Sequence, residues 1–254
     1  ISPFDVVAVQ EVSDDLEHLG ALLAALGSSW DVVFSDPAGN YERLAYFYRK
    51  RRVSRTGLAA ELAMRGYERQ RILIEGIDPQ EQPFEGFNRN PYMVSFAAGE
   101  FRFNLVNVHL YWSNFGIRQL ETTALGKWAK SRLDKPGPPN DDIVLLGDFN
   151  MPALKEGDEI YDLLTGHGLN VPKYNTELVG SNLAGDKHYD EVAFFPSRTG
   201  EDFTSRMGVF DFDKVLFADL YEESAADQPA HCRFFRYVRY YVADHRPLWV
   251  EFLR

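Results

Sequence analysis

Apolar residues recur along this chain in short runs, each closed by polar residues before a helix could complete three turns. Phe4–Val9, Asp31–Phe34, Leu44–Tyr48, Tyr92–Ala97, Phe101–Leu110, Ile143–Leu146, Glu191–Phe195 and Leu248–Phe252 are rich in β-branched and aromatic side chains and read as strands. Helical spacing separates some of them. Leu16, Leu19, Leu22, Leu23 and Leu26 line one face of a helix that Asp14 or Asp15 is positioned to cap, and Ile117–Leu133 and Glu159–Leu164 have the same character. Residues 54–90 combine an Ala/Leu-rich turn or two with a polar, Pro-containing loop. Lys135–Asp142, with its Pro-Gly-Pro-Pro, reads as a surface connection. Strands outnumber helices and do not alternate strictly with them. An α+β arrangement, sheet packed on sheet with helices outside, therefore fits better than a doubly wound parallel sheet. No repeat, low-complexity stretch or internal boundary is visible, so one domain over residues 1–254 is expected.

Composition narrows the classes further. At 254 residues and 45% hydrophobic, the chain can bury a core without metals or crosslinks. Cys232, the single cysteine, excludes an internal disulfide framework and a zinc site built on several thiolates; it reads as a small buried apolar residue. The longest strongly apolar stretch, Leu19–Leu26, is far shorter than the ~20 residues of a membrane-spanning helix, so no transmembrane segment is expected. One cysteine suits a reducing cytoplasm. The net charge of -11 argues against a general basic surface for nucleic acid. Residues 43–71 run the other way, with nine Lys and Arg against Glu61 and Glu68. That window is either a phosphate-facing patch or a solvated strand end and loop.

Four segments set polar residues at the end of buried-looking strands, where apolar packing does not explain them. Val9-Gln10-Glu11 ends the first strand in a carboxylate, which is either a metal ligand or a solvated terminus. Asn107-Val108-His109 puts a histidine inside a β-branched run. Gly147-Asp148-Phe149-Asn150 places Asp148 and Asn150 on one side of an extended chain and Phe149 on the other, an acceptor beside an amide that suits holding a cation and orienting a water. Asp244-His245-Arg246-Pro247 pairs an acid with an imidazole before the last strand. Each alone reads more simply as structure; the four together point to a site.

In this order and at these spacings the four segments resemble the endonuclease/exonuclease/phosphatase superfamily. Glu42-Arg43, Tyr189-Asp190 and Arg89-Asn90-Pro91-Tyr92 sharpen the resemblance toward its deoxyribonuclease I-like branch, and it runs from Phe4 to Phe252. It implies a four-layer αββα sandwich with the site at one end of two packed mixed sheets. It also implies Mg²⁺ (or Mn²⁺) held by Glu11, with Asp244 and Asp148 near the ion. Asp148 and Asn150 would orient the attacking water and the scissile phosphate, and Arg89 would contact the phosphate. His109 supported by Glu42, and His245 supported by Asp190, would be two carboxylate-paired imidazoles. The implied activity is metal-assisted phosphodiester hydrolysis, with nucleic acid, most naturally DNA, as the partner.

The chain departs from that pattern in places. It opens at what looks like the family's second strand, so the asparagine-bearing strand expected before it is missing here, and full metal binding is expected to need it. Ser13 stands where deoxyribonuclease I carries a groove-reading arginine, and the tyrosine expected before Glu42 is matched loosely by Asn40 or Tyr41. Arg65, Arg69 and Arg71, in a stretch longer than the family expects, either replace those contacts or belong to an insertion packed on the edge. Phe234, Phe235, Tyr237, Tyr240 and Tyr241 read as strand packing rather than a base-stacking platform. Three rivals follow: a phosphatase, a phospholipid phosphodiesterase, which would show an exposed apolar loop that does not stand out here, and a binding module that lost the chemistry. Further domains outside this chain would decide targeting.

Overall fold

The computed structural model describes residues 1–134, 142–177, 180–225 and 227–253. In chain order the elements are β1 (Val6–Ser13), α1 (Glu17–Leu26), β2 (Trp30–Phe34), β3 (Glu42–Arg49), β4 (Ser54–Glu61), α2 (Gly66–Arg69), β5 (Tyr92–Ala98), β6 (Phe101–His109) and α3 (Phe115–Leu133). They continue with β7 (Asp142–Asp148), α4 (Glu159–Gly166), β8 (Asp190–Phe194), α5 (Pro196–Thr199), β9 (Phe203–Val209), α6 (Phe212–Leu216), α7 (Ala218–Ala225), α8 (Gln228–Tyr241) and β10 (Leu248–Phe252). The expected connection at residues 135–142 lies outside the described residues except for Asp142, which opens β7.

A five-stranded sheet in the order β4-β5-β6-β7-β8 forms the centre. Its β6 and β7 run parallel and its other pairs antiparallel. The strand period of two sorts β6 between two cores. Phe103 and Leu105 face Tyr46, Tyr48 and Phe96 in the core between the sheets, while Val106 and Val108 pack with Leu125 and Ala129 of α3 and Ile160 and Leu164 of α4. The second β layer comprises β2-β3-β1 and the pair β9-β10. α1 covers the outside of the first piece through Leu19 against Ala45 and Phe47. The order helix, sheet, sheet, helix is the four-layer α+β sandwich expected. Among the described residues β1 bonds only to β3 and β10 only to β9, so this second layer is in two pieces, both resting on the five-stranded sheet.

The helix starts follow capping chemistry. Asn114 accepts from Ile117 N at 3.0 Å to open α3, and Asp158 accepts from Ile160 and Tyr161 N to open α4. At α1, Asp15 accepts from Glu17 N, whereas Asp14 pairs with Arg43.

Several expectations are corrected. Residues 54–61 form β4, an edge strand most of whose residues are exposed, and Phe203–Val209 form β9. The aromatic run at 234–241 is the helix α8, not a strand: Phe234 and Val238 are buried while Tyr237, Tyr240 and Tyr241 are exposed. Cys232 is exposed on that helix. Arg43 pairs with Asp14, Arg49 lies over the Trp30 ring, Arg69 donates to Glu85 O, and Arg71 lies over Tyr67. The segment holding Arg65, Arg69 and Arg71 packs through Ile72 and Phe84 onto Leu120 and Ala124 of α3.

Candidate active site

All the candidate residues gather at one end of the sandwich because the register brings their strand ends together. His109, which ends β6, pairs across with Asp148, which ends β7, and Asp148 pairs with Asp190, which opens β8. From the facing layer, Glu42 opens β3 opposite Ser13 of β1. Between Val9 and Val12 the β1 ladder takes up an extra residue, and Glu11 sits in this bulge at φ 57°. A carboxylate held in the left-handed region at a bulge is aimed by the backbone and not by a regular ladder. Asn107, fully buried on β6, secures that bulge: its Nδ2 donates to Val9 O and Ala45 O, and its Oδ1 accepts from Gln10 Nε2 at 2.5 Å.

Gly147 explains the approach of β7. Its φ is 126°, and a side chain there would run into the backbone oxygen of Val108. Asp148 follows, nearly buried, and its Oδ1 accepts from Asn150 N at 2.7 Å. Asn150 is not extended, as the sequence suggests, but lies at φ 51°. Its Nδ2 donates to Leu110 O at 3.0 Å, while Phe149 between the two enters the helix-side core.

Two imidazoles flank Asp148. His109 is nearly buried, with Nδ1 3.6 Å from Glu42 Oε2 and Nε2 3.6 Å from Asp148 Oδ2 and 3.8 Å from Glu11 Oε1. Burial, reinforced by Arg89, lowers it to about 4 and outweighs the pull of Glu42 and Asp190. At neutral pH it is an uncharged imidazole. His245 Nδ1 lies 2.8 Å from Asp190 Oδ2, and its ring stacks on Tyr189. Burial opposes its charge, but the bond to Asp190 and the charges of Asp190, Asp148 and Asp244 prevail and raise it to about 9. His245 is therefore a cation at neutral pH. Burial and the Asp190 charge push Asp148 up to about 8.

Arg89 is buried and donates from Nε to Glu42 at 2.6 Å; its Nη1 is buried without a hydrogen-bond partner. Asp244 is exposed, with Arg239 at 3.9 Å. Glu11 is about two-thirds exposed, and burial followed by the nearby charges of Glu42 and Asp244 raises it. These are hard oxygen donors crowded by like charge, a set that suits a hard dication. Among the described residues no three His, Cys, Asp or Glu side chains form a ready cage for a metal ion.

Three supporting residues carry no role in the sequence reading. Buried Glu121 on α3 accepts from Asn88 N and Tyr111 N, each at 2.7 Å, and so ties down the loop before Arg89 and the loop after His109. Arg246 is buried and forks onto both oxygens of Asp213 at 2.8 Å while donating to Asn182 O at 2.6 Å, which fixes the turn carrying His245. Ser181 donates nothing to that fork but accepts from Asp190 N through Oγ and from Arg246 N through its carbonyl. The motif contained Arg246; nothing in the sequence named Asp213 or Ser181 as its partners.

The comparisons with known proteins agree with this architecture. The sequence matches no family profile and no curated protein sequence. Solved structures do match. A mannosyl-6-phosphatase from Bacteroides thetaiotaomicron is similar at a TM-score of 0.62 and 18% identity over 100% of this chain and 86% of that one. An endonuclease/exonuclease/phosphatase protein from Bacteroides vulgatus matches at 0.56 and 14%, over 99% and 85%. D. rerio TDP2, complexed with single-strand DNA product, matches at 0.58 and 14%, over 100% and 87%. The chain thus has the endonuclease/exonuclease/phosphatase fold, the DNase I-like sandwich that its motifs resemble.

Proposed function

We propose that this chain is a divalent-metal-dependent phosphodiester hydrolase, an endonuclease that cuts DNA with little sequence preference. The observation that carries the reading is the pair of imidazoles on either side of Asp148, each set against its own carboxylate. Attack on a phosphodiester needs a proton acceptor for the water, a proton donor for the leaving oxygen and positive charge for the phosphoryl group. Neutral His109 is the acceptor. Cationic His245, held by Asp190, is the donor. Asp148 and Asn150 orient the water, and the unpartnered Nη1 of Arg89 takes a phosphate oxygen. Glu11, with Asp244 and Asp148 near it, would hold Mg²⁺ or Mn²⁺, which would supply further charge to offset the phosphate and the carboxylates. The DNA-bound neighbour of the same fold supports nucleic acid as the substrate.

The test is nicking of supercoiled plasmid with Mg²⁺, with EDTA, and by Asp148→Ala and His245→Ala with Mg²⁺. Nicking that needs the metal and falls at least about a hundredfold in both variants is expected. Robust hydrolysis of a sugar phosphate with no nicking would overturn the substrate class, and nicking retained in both variants would overturn the site.

A further inference from the structure

α8 departs from the rest of this acidic molecule. In a chain of net charge -11, its fourteen residues contain Arg233, Arg236 and Arg239 and no Asp or Glu. Its inner face is used up: Phe234 and Val238 are buried against Phe212. At 3.6 residues per turn, Arg233, Arg236, Tyr237 and Tyr240 fall within roughly 100° of one another on the outer face, with Arg239 and Tyr241 at its two margins. Arg233, Arg236 and Arg239 are exposed, and Tyr237, Tyr240 and Tyr241 are between 53% and 79% exposed. Tyr241 contacts both other rings, at centroid distances of 4.7 Å. Exposed tyrosines interleaved with guanidinium groups are not packing, for nothing covers them among the described residues.

The helix also leads straight into the site. Val242 N and Ala243 N both bond to Val238 O, Arg239 lies 3.9 Å from Asp244, and His245 follows, with the Tyr189 ring stacked on it. The C-terminal end of α8, with Arg239 beside Asp244, therefore adjoins the residue proposed as proton donor.

Resting on the phosphodiesterase reading, we propose that the outer face of α8 is a platform for single-stranded nucleic acid, holding the strand that flanks the scissile phosphate by base stacking on Tyr237, Tyr240 and Tyr241 and by phosphate contacts to the arginines. The chemistry favours this occupant over a bilayer. A membrane-lying helix sinks an apolar face into lipid, but the apolar face of α8 is turned into the protein and its outer face is Arg and Tyr. Val215, Leu216 and Leu220 are exposed, yet they belong to α6 and α7. Stacking on a tyrosine face suits any base, and guanidinium groups match phosphates without reading sequence.

The test is fluorescence anisotropy of a labelled oligothymidylate of about 12 nucleotides with the whole chain in EDTA. The parent is compared with Arg233→Ala/Arg236→Ala and Tyr237→Ala/Tyr240→Ala, all at exposed positions. In parallel, turnover of bis-p-nitrophenyl phosphate with Mg²⁺ is followed. Each double variant is expected to bind about tenfold or more weakly. The arginine pair should also flatten the slope of log affinity against log salt by about 1.4, from about 0.7 per phosphate contact, and the tyrosine pair should leave it unchanged. Turnover of the small diester should be the same in all three. Equal oligonucleotide affinity in parent and variants, with diester turnover intact, overturns the platform and leaves the hydrolase reading standing. Oligonucleotide binding lost in the variants, with no phosphoester turned over by the parent, upholds the platform and overturns the hydrolase reading. Binding of the parent to phosphatidylserine vesicles but not to the oligonucleotide, lost in the same variants, overturns the platform in favour of a lipid surface.

Discussion

At the residue scale the site works by setting like side chains in unlike surroundings. His109 is nearly buried and lacks a close ion pair, so it stays neutral, while the half-buried His245 meets Asp190 at 2.8 Å and stays charged. This difference predicts the pH profile. His245 donates only while protonated, so kcat/KM should fall as pH rises through about 9. In Asp190→Asn the hydrogen bond and the nearest charge are gone and only Asp148 and Asp244 remain against burial, so that alkaline limb should move down in pH. A limb that stays in place would show that His245 is not the donor. The side chains proposed to react stood out in the sequence because a carboxylate or imidazole ending an apolar strand has no packing reason to be there. Asn107, Asp213 and Ser181 were not legible. They are ordinary polar residues whose partners lie tens of residues away, and only the folded register names those partners.

At the element scale, α3 does more than cover the sheet. Its Glu121 joins the loops on either side of the site, and burial raises this carboxyl to about 7 from an ordinary 4.5. Between those values the folded chain keeps a proton that the unfolded chain has released, so this group lowers stability as pH rises from about 4.5 to 7. Glu121→Gln removes that titration. Denaturant unfolding across this range should show the gap between parent and variant changing within the window and constant on either side; parallel curves would refute the assignment. Elements themselves were legible where their period was clear. β6 and β7 are apolar runs buried on both faces, and α1 keeps a leucine every three or four residues. β4 escaped because an exposed edge strand with Gly57 and two alanines carries no alternation to read. β9 escaped because Thr204, Ser205 and Arg206 break its apolar run and only Met207–Val209 are buried. α8 was misread because tyrosine, phenylalanine and valine favour strands, whereas here the burial of Phe234 and Val238 four residues apart decides for a helix.

At the scale of the whole molecule, the five-stranded sheet is the continuous part and the facing layer is divided. Hydrogen exchange should reflect this. Amides of β6 and β7, flanked by strands on both sides and covered on both faces, should exchange slowest. On β1 and β10 the amides that point away from β3 and β9 should exchange far faster than their sequence neighbours. Uniform protection along β1 would mean that its outer edge is paired in solution. Glu11 rides on one of these pieces and His245 at the entrance to the other. Val6 and Ala8 bed the first on the common sheet, and Leu248 and Val250 bed the second. The aperture of the site is therefore an alignment between two separately seated parts, like jaws closed on one anvil. Reshaping the seat beneath either would refocus the chemistry on a substrate of another width while every reacting group stayed the same.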